Sequence, residues 1–411
     1  MTSFQNKVAR AVPWLGLLIL GLASTFGTLS GGSFAALGIG GALLLFAAVW
    51  IAEGRAPRPA SRDMIFALLV LAICALLNLQ AAFPDVSWHV TLELATIILP
   101  LTLLTCPQIQ ARIAAQSVLF RYWPYLAILG ALVLGADLIR LYAFHNLEYI
   151  PFVKLNRGFS YAMLIVWPLL GFLWVQPNDE ILKPKQRRLA LMLILVLLLP
   201  FDLTYSHATQ VAILGAVVVF LAAQLAPVAV RRLLGVVNVM SLGWPFAAQA
   251  AFTYYPDWVA RLPLSWRHRV EIWDYMSYRI MERPILGWGL GSSHKLSPAS
   301  PHSAHYMFVA GPAAHCHNAI TQLWVELGLP GLALGLLFAY STLRRAGKMP
   351  AQLVSFALGA WTTAFILSLC AYDFWTDSLL AAFVLTGFAF AVSVQSIKIM
   401  PHDNSCATQR N

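Results

Sequence analysis

Residues 317–331 read HNAITQLWVELGLPG. A polar, histidine-rich segment here gives way to a long apolar one, with His315 and His317 two apart just ahead of a run expected to turn helical near Asn318. An imidazole at such an edge can meet a lipid-borne substrate and still reach water.

Working outward, the composition fixes the setting. Of 411 residues 59% are hydrophobic and 11% charged, whereas soluble domains carry about a quarter charged residues. An ordinary soluble domain is excluded, and the chain is read as an all-α polytopic membrane protein forming a single transmembrane domain over 1–411. A spanning helix needs roughly 20 apolar residues. About twelve such runs occur, centred on residues 20, 42, 72, 97, 131, 166, 196, 217, 241, 331, 361 and 388. Lys7 and Arg10 precede the first run and no small-residue cleavage site follows it, so it is expected to be a retained helix. Alternating twelve spans from a cytoplasmic N-terminus places both termini inside and puts eighteen of the 27 basic residues on that side, as the positive-inside rule requires. The net charge of +10 is therefore a topology signal, and no nucleic-acid partner is implied. Five scattered cysteines imply no disulfide framework.

Nine cations fall on the outer side, among them Arg140, Lys154, Arg157, Arg261, Arg267, Arg269, Arg279 and Arg283. Arg140 lies three residues from Asp137, on one helix face, so an ion pair inside the bundle is expected. Lys154 and Arg157 flank the start of a span. A pyrophosphate would explain them, since guanidinium presents a planar fork of donors to phosphate oxygens; snorkelling to lipid head groups is the alternative. Asp85, His89 and Glu93 are read as an interfacial cap.

The long outer segment, 256–316, is the one hydrophilic stretch large enough to carry much of a site. Within it, 265–283 reads as a helix capped by Ser265 and ended before Pro284. Trp266, Val270, Trp273, Met276 and Ile280 form one apolar stripe, so the helix should lie on the leaflet or across the bundle mouth. Arg261, Arg267 and Arg269 gather at its start, where helical N-H groups already favour anions; Arg267 could instead pair with Glu271 four residues on. The glycines of 284–291, PILGWGLG, are read as a flexible turn that lets backbone approach the site. His294, His302, His305, His315 and His317 raise a zinc site, with Cys316 as a further ligand. The two-residue spacing of His315 and His317 argues against it, and no metal or other cofactor is expected. Asp373 and Asp377, opposite the site, could orient a histidine, contact sugar hydroxyls or simply form a polar turn.

His317-Asn318, nine residues, Gly328, two residues and Gly331 resemble the signature of the bacterial O-antigen ligases, and Arg269 with Trp273 four residues later resembles a second motif of that family. The resemblance implies a GT-C-type glycosyltransferase bundle in the bacterial inner membrane with its site facing the periplasm. It implies undecaprenyl-pyrophosphate-linked polysaccharide as donor and lipid A-core as acceptor, with no metal. By it Arg269 is catalytic, with His317 as the base, and an arginine in the loop of Arg157 binds the donor; Arg267, Lys154, His207, His315, Asn318 and Arg261 complete the set expected to bind substrate. Where many relatives carry a Ser-Arg pair this chain has Ser206-His207, so His207 is expected to replace that arginine or leave its task to the others. An O-antigen polymerase or a protein O-oligosaccharyltransferase would share these motifs. A lipid-linked oligosaccharide transporter is the rival from another class, but transporters place charge at the membrane midplane.

Overall fold

The structure, a computed structural model, describes residues 2–26, 32–115, 122–144, 149–175, 206–296 and 315–399. Among them there is no β-strand. In lipid, every backbone N-H and C=O must be satisfied within the protein, and a helix does this locally. The leucine-, alanine- and valine-rich runs therefore fold as α1 (Ser3–Phe26), α2 (Gly32–Glu53), α3 (Ser61–Asn78), α4 (Pro84–Thr102), α5 (Pro107–Ala114), α6 (Trp123–Phe144) and α7 (Tyr149–Val175). After the gap follow α8 (His207–Leu225), α9 (Pro227–Met240), α10 (Trp244–Tyr254), α11 (Pro256–Ala260), α12 (Leu264–Glu282), α13 (Ala319–Ala346), α14 (Ala351–Cys370) and α15 (Asp377–Ile399). Pro84, Pro107, Pro227 and Pro256 stand at first helical positions, where the missing N-H costs nothing and the fixed φ suits a helix.

Ten spans among the described residues are long and apolar enough to cross a membrane, one of them, Pro227–Tyr254, running through both α9 and α10, and a shorter apolar helix covers 123–136. Of the twelve expected runs, the one around residue 196 lies outside the described residues, as do the side chains of Asp137 and Arg140. Helices α8 and α14 pack along one another, α7 packs against both α14 and α15, α15 packs against α2, and α1 contacts both α2 and α6.

Helix α13 separates two polar ends. At its far end Arg345 pairs with Asp63 of α3, and nearby in chain terms Arg112 of α5 reaches Glu53 of α2 at 3.3 Å. Those bases were assigned to one side of the membrane by the alternation of spans. At the near end, 28 residues and about 40 Å of helical rise away, stands His317.

Two local expectations need correcting. Ser265 does not cap α12: the helix starts at Leu264 after Pro263, whose extended backbone (ψ 143°) aims its carbonyl at the N-H groups of Trp266 and Arg267. Nor does α12 lie flat with one face in lipid. Val270 to Ser277 are all buried, including Glu271, Asp274 and Ser277, and both α10 and α13 pack against this helix.

The glycine at 328 sets the backbone path of α13. Gly328 adopts φ 63°, ψ −150° and breaks α13 into two segments, in a region of backbone space open almost only to glycine. With Pro330 unable to donate, the carbonyls before the break would lack partners. The 284–291 segment supplies them: Trp288 N-H donates to Val325 O at 2.9 Å and Gly289 N-H to Glu326 O at 2.8 Å, while Leu329 N-H returns to Ile285 O at 3.0 Å. The glycine turn is thus held in place rather than loose. A Cβ on Gly287 would come within 2.4 Å of Glu326 O, and one on Gly328 within 2.2 Å of Ile285 O.

Gly328→Ala should accordingly destabilise the protein by about 1–3 kcal/mol, read as a lowered Tm of the detergent-solubilised chain. Gly235→Ala in α9, where a Cβ meets nothing within 4 Å, should leave Tm unchanged or raise it. Equal Tm values for the two variants would remove the glycine-specific role of residue 328.

Candidate active site

The site forms at the carboxyl end of α14. The last carbonyls of any helix lack intrahelical partners and carry the negative end of the helix dipole, and here three successive ones receive donors from other elements. Leu369 O accepts from Asn318 Nδ2 at 3.1 Å, Cys370 O from Arg269 Nε at 2.7 Å, and Ala371 O from His317 Nδ1 at 3.0 Å. A cation and a histidine far apart in sequence are thereby brought to adjacent carbonyls of one helix end.

A carbonyl only accepts, so the ring proton of His317 sits on Nδ1 and Nε2 presents its lone pair. His317 is the one non-glycine residue with positive φ (47°) among the described residues. That conformation turns the chain from the polar segment into α13, whose first turn is capped by Asn318 Oδ1 accepting from Thr321 N-H at 2.9 Å. Burial pushes the His317 pKa well below the ordinary 6.5, and the neighbouring His315 and Arg269 push it the same way. The ring is therefore a neutral base. The His315 ring lies 3.8 Å from it, centroid to centroid, and the His268 ring of α12 lies 5.9 Å away, edge-on.

Beyond the helix end, Asp373 accepts from His294 Nε2 at 2.6 Å, Gln322 Nε2 at 2.7 Å and the Trp375 N-H at 2.9 Å. Burial alone would raise that carboxyl, but these donors hold it down at about 2. The same hydrogen bond raises the His294 pKa above its ordinary value, so the pair is ionic. His294 and His315 stand 6.1 Å apart, and the rings from His268 through His317 and His315 to His294 form a continuous row. Of the roles left open for Asp373, orienting a histidine is the one its contacts display.

The remaining expected residues divide. Arg157 of α7 places its guanidinium 5.8 Å over the Tyr372 ring, next to the same turn; Tyr372 in turn bonds Ser160 at 2.8 Å. Arg269 also donates to Ser265 O at 2.6 Å and lies 5.7 Å from the Trp266 ring. Arg267 makes the i,i+4 pair with Glu271 at 3.2 Å. Asn318 is fully buried with both ends of its amide committed to backbone, which makes it a holder of His317 rather than a group turned to substrate. His207 opens α8 and bonds Gln210 at 3.1 Å. Arg261 is exposed at the end of α11, and its described contacts do not join it to His317. The Lys154 side chain, His302 and His305 lie outside the described residues, and among the described ones no three His, Cys, Asp or Glu are grouped to hold a metal. Gln322 and Glu326, absent from the expected set, are the missed members; the signal for them was a polar i,i+4 pair within an apolar span.

Nitrogen NMR of the imidazole rings in the solubilised chain checks this electrostatic pattern. His317 should show the Nδ1-H tautomer at pH 7 and protonate only well below 6.5, while His294 should stay charged above 6.5. The signs for stability follow. The His317 contribution is complete above 6.5 and withdraws as pH falls, whereas that of His294 is complete below 6.5 and withdraws as pH rises through its raised pKa.

Known proteins match the part of the chain that carries these residues. Residues 155–336 match the family described as O-Antigen ligase. A protein of Rickettsia felis, provisionally named a polysaccharide ligase, is 26% identical over 227 residues, which is 54% of this chain and 54% of that protein. A similarly named protein of Rickettsia conorii is 29% identical over 111 residues, 26% of this chain and 27% of its own, and one of Rickettsia bellii is 25% identical over 226 residues, covering 54% and 53%. The matches thus span between a quarter and about half of these relatives. The matched segment runs from the Arg157 helix through Arg269 and His317 to the broken helix at Gly328, and over that part, a little under half of its length, the chain is similar to the O-antigen ligase family.

Proposed function

We propose that this protein transfers O-antigen polysaccharide from undecaprenyl pyrophosphate to lipid A-core, at the periplasmic face of the inner membrane, by a metal-free and inverting displacement. The observation that carries the reading is the pair of adjacent carbonyls, Cys370 O and Ala371 O, that hold a guanidinium and a neutral imidazole at one helix end. A displacement at a sugar carbon needs both: something to accept the proton of the attacking hydroxyl, and fixed positive charge where the leaving group becomes anionic.

In the reaction the acceptor oxygen forms a bond to the anomeric carbon while the bond to the pyrophosphate oxygen breaks. The hydroxyl proton passes to His317 Nε2, and the bonding electrons leave with undecaprenyl pyrophosphate. Arg269, Arg157 and, in its charged form, His207 stabilise that departing charge more than the ground state, which is the condition for speeding the step. Guanidinium groups thereby do what a divalent ion does elsewhere. Lys154 and Arg261 would draw the donor towards the site. Arg267, already paired with Glu271, would shape the pocket, and His315 would keep the His317 ring aligned.

Purified protein supplied with both lipids should produce ligated lipopolysaccharide in the presence of EDTA; an EDTA-sensitive reaction refutes the metal-free step. His317→Ala should reduce kcat about 10²–10⁴-fold with folding preserved, and a variant retaining full activity would favour transport instead. Because the base is neutral down to well below pH 6.5, kcat should hold between pH 7 and 6 and fall only at lower pH, when Nε2 is protonated. A deletion strain that keeps long lipid-linked polymer but loses surface O-antigen separates ligation from polymerisation.

A further inference from the structure

One buried ionisable group takes no part in this chemistry. Glu326 lies two turns into α13, inside a candidate span, with 0% exposure. Such a group in a membrane segment is costly and calls for a reason. Its partners among the described residues are four hydrogen-bond donors and no guanidinium or ammonium. Oε2 accepts from Gly291 N-H at 2.8 Å and from Trp375 Nε1 at 2.6 Å. Oε1 accepts from Ser293 Oγ at 2.6 Å and Gln322 Nε2 at 3.3 Å.

Three of those donors come from two segments outside α13. Gly291 and Ser293 belong to the loop that carries His294, and Trp375 belongs to the turn that carries Ala371 and Asp373. We propose that Glu326 is a positioning residue: its carboxylate clamps the 289–294 loop to the 370–375 turn and so fixes the Ala371 carbonyl against which His317 is aligned. Gln322, one helical turn before it, reinforces the clamp by donating to Asp373 and accepting from Phe374 N-H at 3.0 Å. Opening the clamp leaves the turn held to α13 by Gln322 without its tie to the 289–294 loop, and the Ala371 carbonyl that aligns Nδ1 of His317 is less firmly fixed. The imidazole then divides its proton between both nitrogens and becomes better hydrated. The groups facing His317 are His315, His268 and Arg269; those facing Glu326 are Asp373, His294, Cys74 and Cys316.

The inference rests on His317 as the base, and its test has one readout that needs no ligation. Full-length wild type, Glu326→Ala, Glu326→Gln and Trp375→Phe are compared in nanodiscs by imidazole nitrogen NMR and by ligation kinetics across pH. In E326A, His317 should populate both tautomers and protonate at higher pH. The acid limb of kcat should move up with it, and kcat at pH 7 should fall about 10–100-fold, a part of the general-base contribution, with donor KM nearly unchanged. E326Q retains an oxygen for Gly291 N-H and Trp375 Nε1 and should restore the wild-type tautomer and pH limb. W375F removes one donor, leaves Glu326 in place, and should shift His317 in the same direction by less; it decides the matter if E326A does not fold. Wild-type tautomer and pH limb in folded E326A or in W375F would overturn the proposal, as would E326Q behaving like E326A. A wild-type protein that shows the tautomer pattern but no ligation defeats the proposed function and leaves the positioning role standing.

Discussion

The carboxyl end of α14 is the constraint on which the site depends. A helix terminus leaves carbonyls without partners and a partial negative charge, and burying such an end is tolerable only when donors arrive from elsewhere. Asn318, Arg269 and His317 are those donors. The same contacts that complete the backbone of α14 therefore set the tautomer of the imidazole and hold a guanidinium beside it. Leaving buried carbonyls unsatisfied costs about 1–3 kcal/mol each, so the geometry of the reactive groups is tied to the stability of the fold.

A second device serves the same end. The break at Gly328 removes regular helical bonding from the middle of α13, and the glycine turn of 284–291 restores it by donating to the carbonyls of Val325 and Glu326. Hydrogen bonding in a membrane interior has no water to fall back on, so a broken span and an irregular segment are paired. That pairing places Ser293 and His294 over the top of α13, within reach of Glu326 and Asp373. A kink, a glycine-rich turn and a row of histidines are consequently one construction.

Much of this was legible in the residues. The apolar runs, the start of α13 at Asn318 and the separation of bases between two ends depend on local composition and period, and the described helices follow them. Where local rules failed, tertiary contact was the cause. Ser265 has the chemistry of a cap, but Pro263 already sets the helix start. The polar face of α12 looks solvated, yet α10 and α13 pack against this helix. Arg267 and Arg269 are equivalent by composition; the turn of the helix directs one to Glu271 and the other to Cys370 O.

Sequence by itself determined that this chain spans a membrane many times, and that an imidazole and several guanidiniums stand outside the apolar runs. It did so because hydrophobic period, chain length and charge placement are properties of neighbours along the chain. Only the tertiary structure decided which of those groups meet. Segments about fifty and one hundred residues apart converge on Leu369 to Asp373, and that convergence is set by how α12, α13 and α14 pack, which no local pattern records.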